Sequence, residues 1–88
     1  MGVKINIPYH LLQFVDNHET VEVEGTTVKE CLLNLTRKYP AMLPEVFDIN
    51  GEMAVIVLHG EAPIDDQMIN SPVKDWDTLG LFPIIIGG

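Results

Sequence analysis

The chain has 88 residues, room for one hydrophobic core and not for two. Hydrophobic residues make up 47% of it, which excludes a disordered polypeptide, while a core this small encloses no deep catalytic cleft. Lys and Arg number 5 against 13 Asp and Glu, a net charge of -8, so nucleic acid and anionic membranes are repelled and a partner with a basic docking face is favoured.

Val3, Ile5 and Ile7 alternate with Lys4 and Asn6, the period of a half-buried strand, which Pro8 ends. Residues 9–15 are mixed and weakly helical, before the turn-forming Asp16-Asn17. Val21 and Val23 alternate with polar neighbours over 20–23, and Gly25 closes this second strand. The two strands form a hairpin with a long loop. Thr27-Val28-Lys29-Glu30 has the spacing of a capping box, a hydroxyl residue with glutamate three positions later. Val28, Cys31, Leu32, Leu35 and Tyr39 then share one helical face, and Pro40 stops the helix. Residues 41–47 read as one more helical turn broken by Pro44, and Asn50-Gly51 as a turn. Residues 53–58 are a continuous apolar run, the pattern of a strand buried on both faces. His59-Gly60-Glu61 turns the chain into a short edge strand at 62–64, where Pro63 is tolerated. Residues 65–73 are irregular. The last strand covers 79–84, with Thr78 at its start, and Ile85-Ile86 carry the apolar run on to Gly87-Gly88.

The order is hairpin, helix, buried strand, short strand, final strand. The class is α+β: a mixed sheet of four to five strands with one main helix packed on one face. First and last strands pair in parallel at its centre. This is the β-grasp, ubiquitin-like arrangement, over one domain of residues 1–88 with a flexible C-terminal Gly-Gly tail.

An ordinary active site is not legible. His10, His18 and His59 fall in separate loops or strand ends, without metal-ligand spacing. Cys31 lies on the apolar helix face and reads as a core residue. Asp65-Asp66 is a solvated acidic pair, and Asp75 and Asp77 around Trp76 shape a turn. There is no phosphate-binding glycine loop, no serine-nucleophile motif and no Cys-x-x-Cys, so a self-contained enzyme, a bound cofactor and a metal are not expected. A single cysteine, no signal-like run after Met1-Gly2-Val3-Lys4 and no membrane-length apolar stretch point to the cytoplasm. Asn34-Leu35-Thr36 matches a glycosylation sequon, but it sits in a predicted cytosolic helix and reads as chance.

The distinctive feature is the ending Gly87-Gly88. At an average glycine frequency of about 7%, two terminal glycines arise by chance in about 0.5% of chains, so accident is the weaker explanation. Two glycines make a thin tail that adopts φ/ψ values closed to other residues. Residues 84–88, detached from a sheet, would reach about 17 Å at about 3.4 Å each, enough to enter a partner's active site. A carboxylate presented there is a poor electrophile until it is adenylated. It can then accept sulfur, giving a thiocarboxylate, or an amine, giving an isopeptide.

The chain resembles the MoaD/ThiS group of ubiquitin-like sulfur carriers, and most the small subunit of molybdopterin synthase. Thr27-Val28-Lys29-Glu30-Cys31-Leu32 is similar to the group's Thr-Val-x-x-Leu helix opening. Asp77-Thr78-Leu79-Gly80-Leu81-Phe82-Pro83 followed by Gly87-Gly88 resembles its Asp-x-Val-x-Phe-x-Pro-(three residues)-Gly-Gly signature, and Tyr39-Pro40 and residues 55–61 also look like it. The resemblance implies an ATP-dependent adenylating enzyme of the ubiquitin-activating type, which activates Gly88. A sulfur donor then makes the thiocarboxylate, and a larger catalytic synthase subunit uses that sulfur in molybdopterin biosynthesis. Gly88 is then the reactive residue, Gly87 the slender approach, and Phe82, Ile84 and Ile86 the docking surface. Two departures stand out. Trp76 occupies the place of a glycine in the group's Asp-Gly-Asp turn, so a different turn is expected, and Ile84-Ile85-Ile86 is bulkier than many such tails. Carriers for cysteine or thiamine biosynthesis or tRNA thiolation, a ubiquitin-like protein modifier, and an inert β-grasp interaction module are the alternatives.

Overall fold

A computed structural model describes residues 2–84. Along the chain come β1 (Val3–Asn6), β2 (Thr20–Val23), α1 (Val28–Lys38), α2 (Leu43–Val46), β3 (Val55–His59), β4 (Ala62–Ile64) and β5 (Thr78–Pro83). The five strands form one mixed sheet in the order β2-β1-β5-β3-β4. β1 and β2 make the long-looped hairpin, antiparallel, with Val3 opposite Val23 and Ile5 opposite Val21. β5 lies parallel to β1, Ile5 opposite Leu79, and antiparallel to β3, Val57 opposite Leu81. The expected β-grasp sheet and its covering helix are present.

Local chemistry explains the helix. The Thr27 hydroxyl accepts the Glu30 N–H at 3.1 Å, as the capping box predicts. The Glu30 carboxylate accepts the Thr26 N–H at 2.9 Å, one residue upstream of the expected partner. Arg37 and Lys38 occupy the last turn, where the helix dipole favours cations. Val28, Cys31, Leu32 and Leu35 are all fully buried and meet Ile5, Val57, Leu79 and Leu81 from the sheet's inner face. Each such aliphatic side chain contributes about 1.5–3 kcal/mol by leaving water. The sequon asparagine, Asn34, lies within α1 and donates from Nδ2 to the Glu24 carbonyl at 2.7 Å.

Two expectations need correction. Pro44 does not break the turn after α1. It stands in the first turn of α2, where a proline's missing N–H has no helical partner to lose. Residues 53–58 are not a strand buried on both faces: β3 runs Val55–His59, and its Ile56 is 42% exposed while Val55 and Val57 are buried. One helix covers one side of the sheet only, so the outward half of an apolar run stays in water. The acidic pair Asp65-Asp66 is exposed, as expected, and both carboxylates also bond the backbone. The Asp65 carboxylate accepts the N–H groups of Gln67 and Met68, and that of Asp66 accepts the Met53 N–H at 2.8 Å. Residues 9–15 form a 3-10 helical turn, and Asp16 and Asn17 leave it with left-handed φ of 53° and 62°.

Candidate docking face

The sheet's outer surface is divided. Over β1 and β2 it is polar: Lys4, Asn6, Thr20 and Glu22 face out, and the Thr20 hydroxyl donates to Asn6 Oδ1 at 3.1 Å. Over β3 and β5 it is apolar. Ile56 stands opposite Phe82, which is 45% exposed, and Leu58 stands opposite Gly80 on one side and Pro63 on the other. Ile84, the first residue past β5, is 49% exposed. Large apolar groups gathered on one open face mark an interaction surface.

Gly80 sets how that surface lies. A methyl group in place of its hydrogen would sit 3.0 Å from Phe82 Cε2 and 3.5 Å from Cζ. The Phe82 ring therefore packs against the bare Gly80 backbone, and Gly80 itself is buried. The result is an apolar face that includes Leu58, Ile56, Phe82 and Ile84.

The opposite end of β5 is pinned. Asp77 Oδ2 accepts the Lys74 N–H at 2.8 Å and lies 2.7 Å from His59 Nε2 at the end of β3. The Lys74 N–H first, and His59 second, hold the Asp77 carboxyl below the usual carboxylate range. His59 is thus paired and part-buried rather than an isolated surface residue. Between these groups Trp76 takes a left-handed φ of 69°, the region glycine occupies with least strain. Its N–H donates to the Gly2 carbonyl, and Lys4 Nζ lies 5.9 Å from its ring centroid. These contacts anchor the strand at its start.

Cys31 is buried under Gly25, and its chemistry follows. Burial first, then the charges of Glu30 and Asp77, push its thiol up to about 11. An unfolded cysteine ionises near about 8.5, so the contribution of the thiol to stability is fully present below that pH and is lost as pH rises toward 11. At pH 8 the native protein is expected to resist alkylation by iodoacetamide and to be labelled in denaturant. Rapid labelling of the native chain would place Cys31 outside the core.

Of the sequence-predicted site residues, Phe82 and Ile84 lie on the exposed face. Ile86, Gly87 and Gly88 lie outside the described residues. Ile56 and Leu58 were missed as surface residues. The signal for them was available: a fold with one covering helix cannot bury both faces of a central strand. Among the described residues no cluster of three metal-ligating side chains occurs, and no helix is long and apolar enough to cross a membrane.

A mixed five-stranded sheet with one capped helix packed on one face defines a β-grasp protein of the ubiquitin-like class. No protein-family model and no curated protein sequence matches the chain. Solved structures do. The chain is similar to SAMP1, a small archaeal modifier protein, from Haloferax volcanii, at 25% identity and a TM-score of 0.83, with 100% of each chain covered. It is similar to a chain of the BexX/CysO complex from Amycolatopsis orientalis, at 22% identity and a TM-score of 0.83, covering 98% of this chain and 99% of that one. It is also similar to a chain of the complex of subunits 1 and 2 of molybdopterin-converting factor from Helicobacter pylori, at 19% identity and a TM-score of 0.64, with 100% of each chain covered. The structural neighbours are thus ubiquitin-like modifiers and sulfur carriers, the group that the sequence resembles.

Proposed function

We propose that this chain is a sulfur carrier whose working group is the carboxylate of Gly88. An adenylating enzyme of the ubiquitin-activating type docks on the apolar outer face. A Gly88 carboxylate oxygen attacks the α-phosphorus of ATP, forming the acyl-adenylate and releasing pyrophosphate. A sulfide nucleophile then adds at the acyl carbon and AMP leaves, giving a thiocarboxylate. The loaded carrier docks on a larger synthase subunit and donates its sulfur to a pterin precursor, in synthesis of the molybdopterin that carries molybdenum or tungsten. The setting is the cytoplasm, and residues 1–88 act as one domain. The chain needs no cofactor of its own, because ATP and sulfur enter with the partners.

One observation carries this reading. β5 is a central strand, it presents Phe82 on the exposed apolar face, and four residues after Ile84 the sequence reaches Gly88. The partnered complexes of the CysO and molybdopterin-converting-factor neighbours support docking of this kind. Phe82, Ile84 and Ile86 are the proposed contacts, joined by Ile56 and Leu58, and Gly87 is the narrow approach to the reacting atom. Cysteine, thiamine and tRNA-thiolation carriers would use the same chemistry with a different acceptor. A second reading, the protein modifier, is favoured by the likeness to SAMP1: Gly88 would then form an isopeptide with a target lysine.

Intact mass spectrometry after incubation with the adenylating enzyme, ATP and a sulfur donor tests the proposal. A mass gain equal to exchange of one oxygen for sulfur is expected, and none in a chain extended past Gly88. Isopeptide products without sulfur exchange would select the modifier. Neither product, from an enzyme active on another carrier, would sink both readings.

A further inference from the structure

Residues 48–52, between α2 and β3, place an isoleucine entirely in water: Ile49 is 100% exposed. The loop that carries it is rigidly bonded. Asp48 Oδ1 accepts the N–H of Asn50 at 2.8 Å and of Glu52 at 3.0 Å. The Asp48 N–H donates to the Glu52 carbonyl at 2.8 Å, and the Gly51 N–H to the Asp48 carbonyl at 3.0 Å. Gly51 supplies the left-handed φ of 80° that closes the turn, and Phe47 pairs with Met53 at its base. Ile49 is thus held outward on a preformed turn. Beside it Leu43 is 51% exposed, and together with Leu33 and Phe47 these side chains line a shallow apolar depression with Lys29 and Asp48 at its rim.

The register of the sheet puts this loop next to the tail's departure. β3 and β5 are antiparallel, so Val55, the first residue of β3, lies opposite Pro83, the last of β5. Ala54 is tied back to α2 by its N–H on the Val46 carbonyl at 2.7 Å. The loop just before β3 therefore stands at the end of the sheet where the chain leaves β5 through Ile84. Charge adds a second condition. Between residues 39 and 73 the acidic residues are Glu45, Asp48, Glu52, Glu61, Asp65 and Asp66, and there is no Lys or Arg. Ile49 is an apolar knob between the acidic residues Asp48 and Glu52, beside the apolar depression of Leu33, Leu43 and Phe47. Its complement is an apolar pocket with a basic rim.

We propose that residues 48–52 are a second recognition element for the enzyme that activates the tail, with Ile49 as the anchor and Asp48 and Glu52 as its charged surround. This rests on the reading of Gly88 as the activated group. The outer face and the loop then grip the partner on two sides of the departing chain, which orients the carboxylate. Preorganisation of the loop spares the ordering cost that a slack loop would incur on binding.

The test is steady-state loading of the full chain by the adenylating enzyme of the mass assay, with ATP. Ile49→Ser is expected to raise KM for the chain about tenfold with kcat little changed, the loss of about 1.4 kcal/mol of docking. Ile49→Val is expected to restore most of it. Glu52→Lys is expected to raise KM several-fold and to flatten its dependence on salt, because a charge contact is removed. All three variants should melt within a few degrees of the parent, since Ile49 and Glu52 are solvent-facing. An unchanged KM for a folded Ile49→Ser variant, on an enzyme that loads the parent, would overturn the role of the loop and leave the carrier reading standing. A parent that forms neither adenylate nor thiocarboxylate would overturn both.

Discussion

A Phe82→Asp variant is expected to fold as the parent does and to be loaded about a hundredfold less efficiently, measured as kcat/KM for adenylation. The side chain lies on the outer face at 45% exposure, so it is not among the residues that hold the core together. Its value is in the bound state. An aromatic anchor at the centre of an interface typically contributes 2 kcal/mol or more, and an aspartate would bring an unpaired charge against an apolar partner. About 2.7 kcal/mol corresponds to a hundredfold. Ile56 stands directly opposite Phe82, so Ile56→Asp should cost a similar factor, and the double variant less than the product of the two. Phe82→Leu keeps an apolar group against Gly80 and should retain most activity. A folded Phe82→Asp chain loaded at the parental rate would remove this face from the docking surface.

The second large effect is on stability. Gly25→Ala is expected to destabilise the protein by about 3 kcal/mol, the upper part of the range for overpacking a closed site. Gly25 follows β2 and lies against the first turn of α1. A methyl group there would sit 2.7 Å from Cys31 Sγ, 2.9 Å from the Cys31 nitrogen and 3.2 Å from its Cα. The sulfur could rotate away. The nitrogen cannot, because its N–H is committed to the Thr27 carbonyl at 3.1 Å in the opening turn of the helix. In thermal unfolding the loss should appear as a fall of roughly 15 °C for a domain of this size. Adding Cys31→Ala to Gly25→Ala should recover only part of it, since the backbone contact remains. Full recovery would mean that the thiol alone filled the space, and a melting temperature equal to the parent's would show that the helix does not approach this closely.

How much of this was legible beforehand differs from element to element. The helix was written locally: Thr27 and Glu30 bond as their spacing predicts, and of the predicted apolar face Val28, Cys31, Leu32 and Leu35 are buried, while Tyr39 caps the helix and is partly buried. The hairpin was written in its period-two alternation and its closing turns. The motif 77–83 with its Gly-Gly ending carried the resemblance to sulfur carriers, and β5 and its exposed Phe82 are where that motif sits. Local rules suffice in these places because each element's partners lie within a turn or along one strand.

Other features depended on what lies across the sheet. Residues 53–58 look alike whether helices cover one face or two, so only the packed structure separates buried Val55 and Val57 from exposed Ile56. Gly80 is an unremarked strand residue until Phe82 is found packed against it. His59 and Asp77 are 18 positions apart and meet only because β3 and β5 are antiparallel neighbours, His59 opposite Leu79. The same register sets the Ile49 loop beside the chain's departure from β5. By itself the sequence determined the elements, the class of fold and the glycine-tailed signature, because these rest on short-range periodicity and capping. Which apolar groups remain in water, and which distant loops stand at the same end of the sheet as Pro83, was decided only by tertiary structure, because burial and adjacency are properties of packed surfaces and not of spacing along the chain.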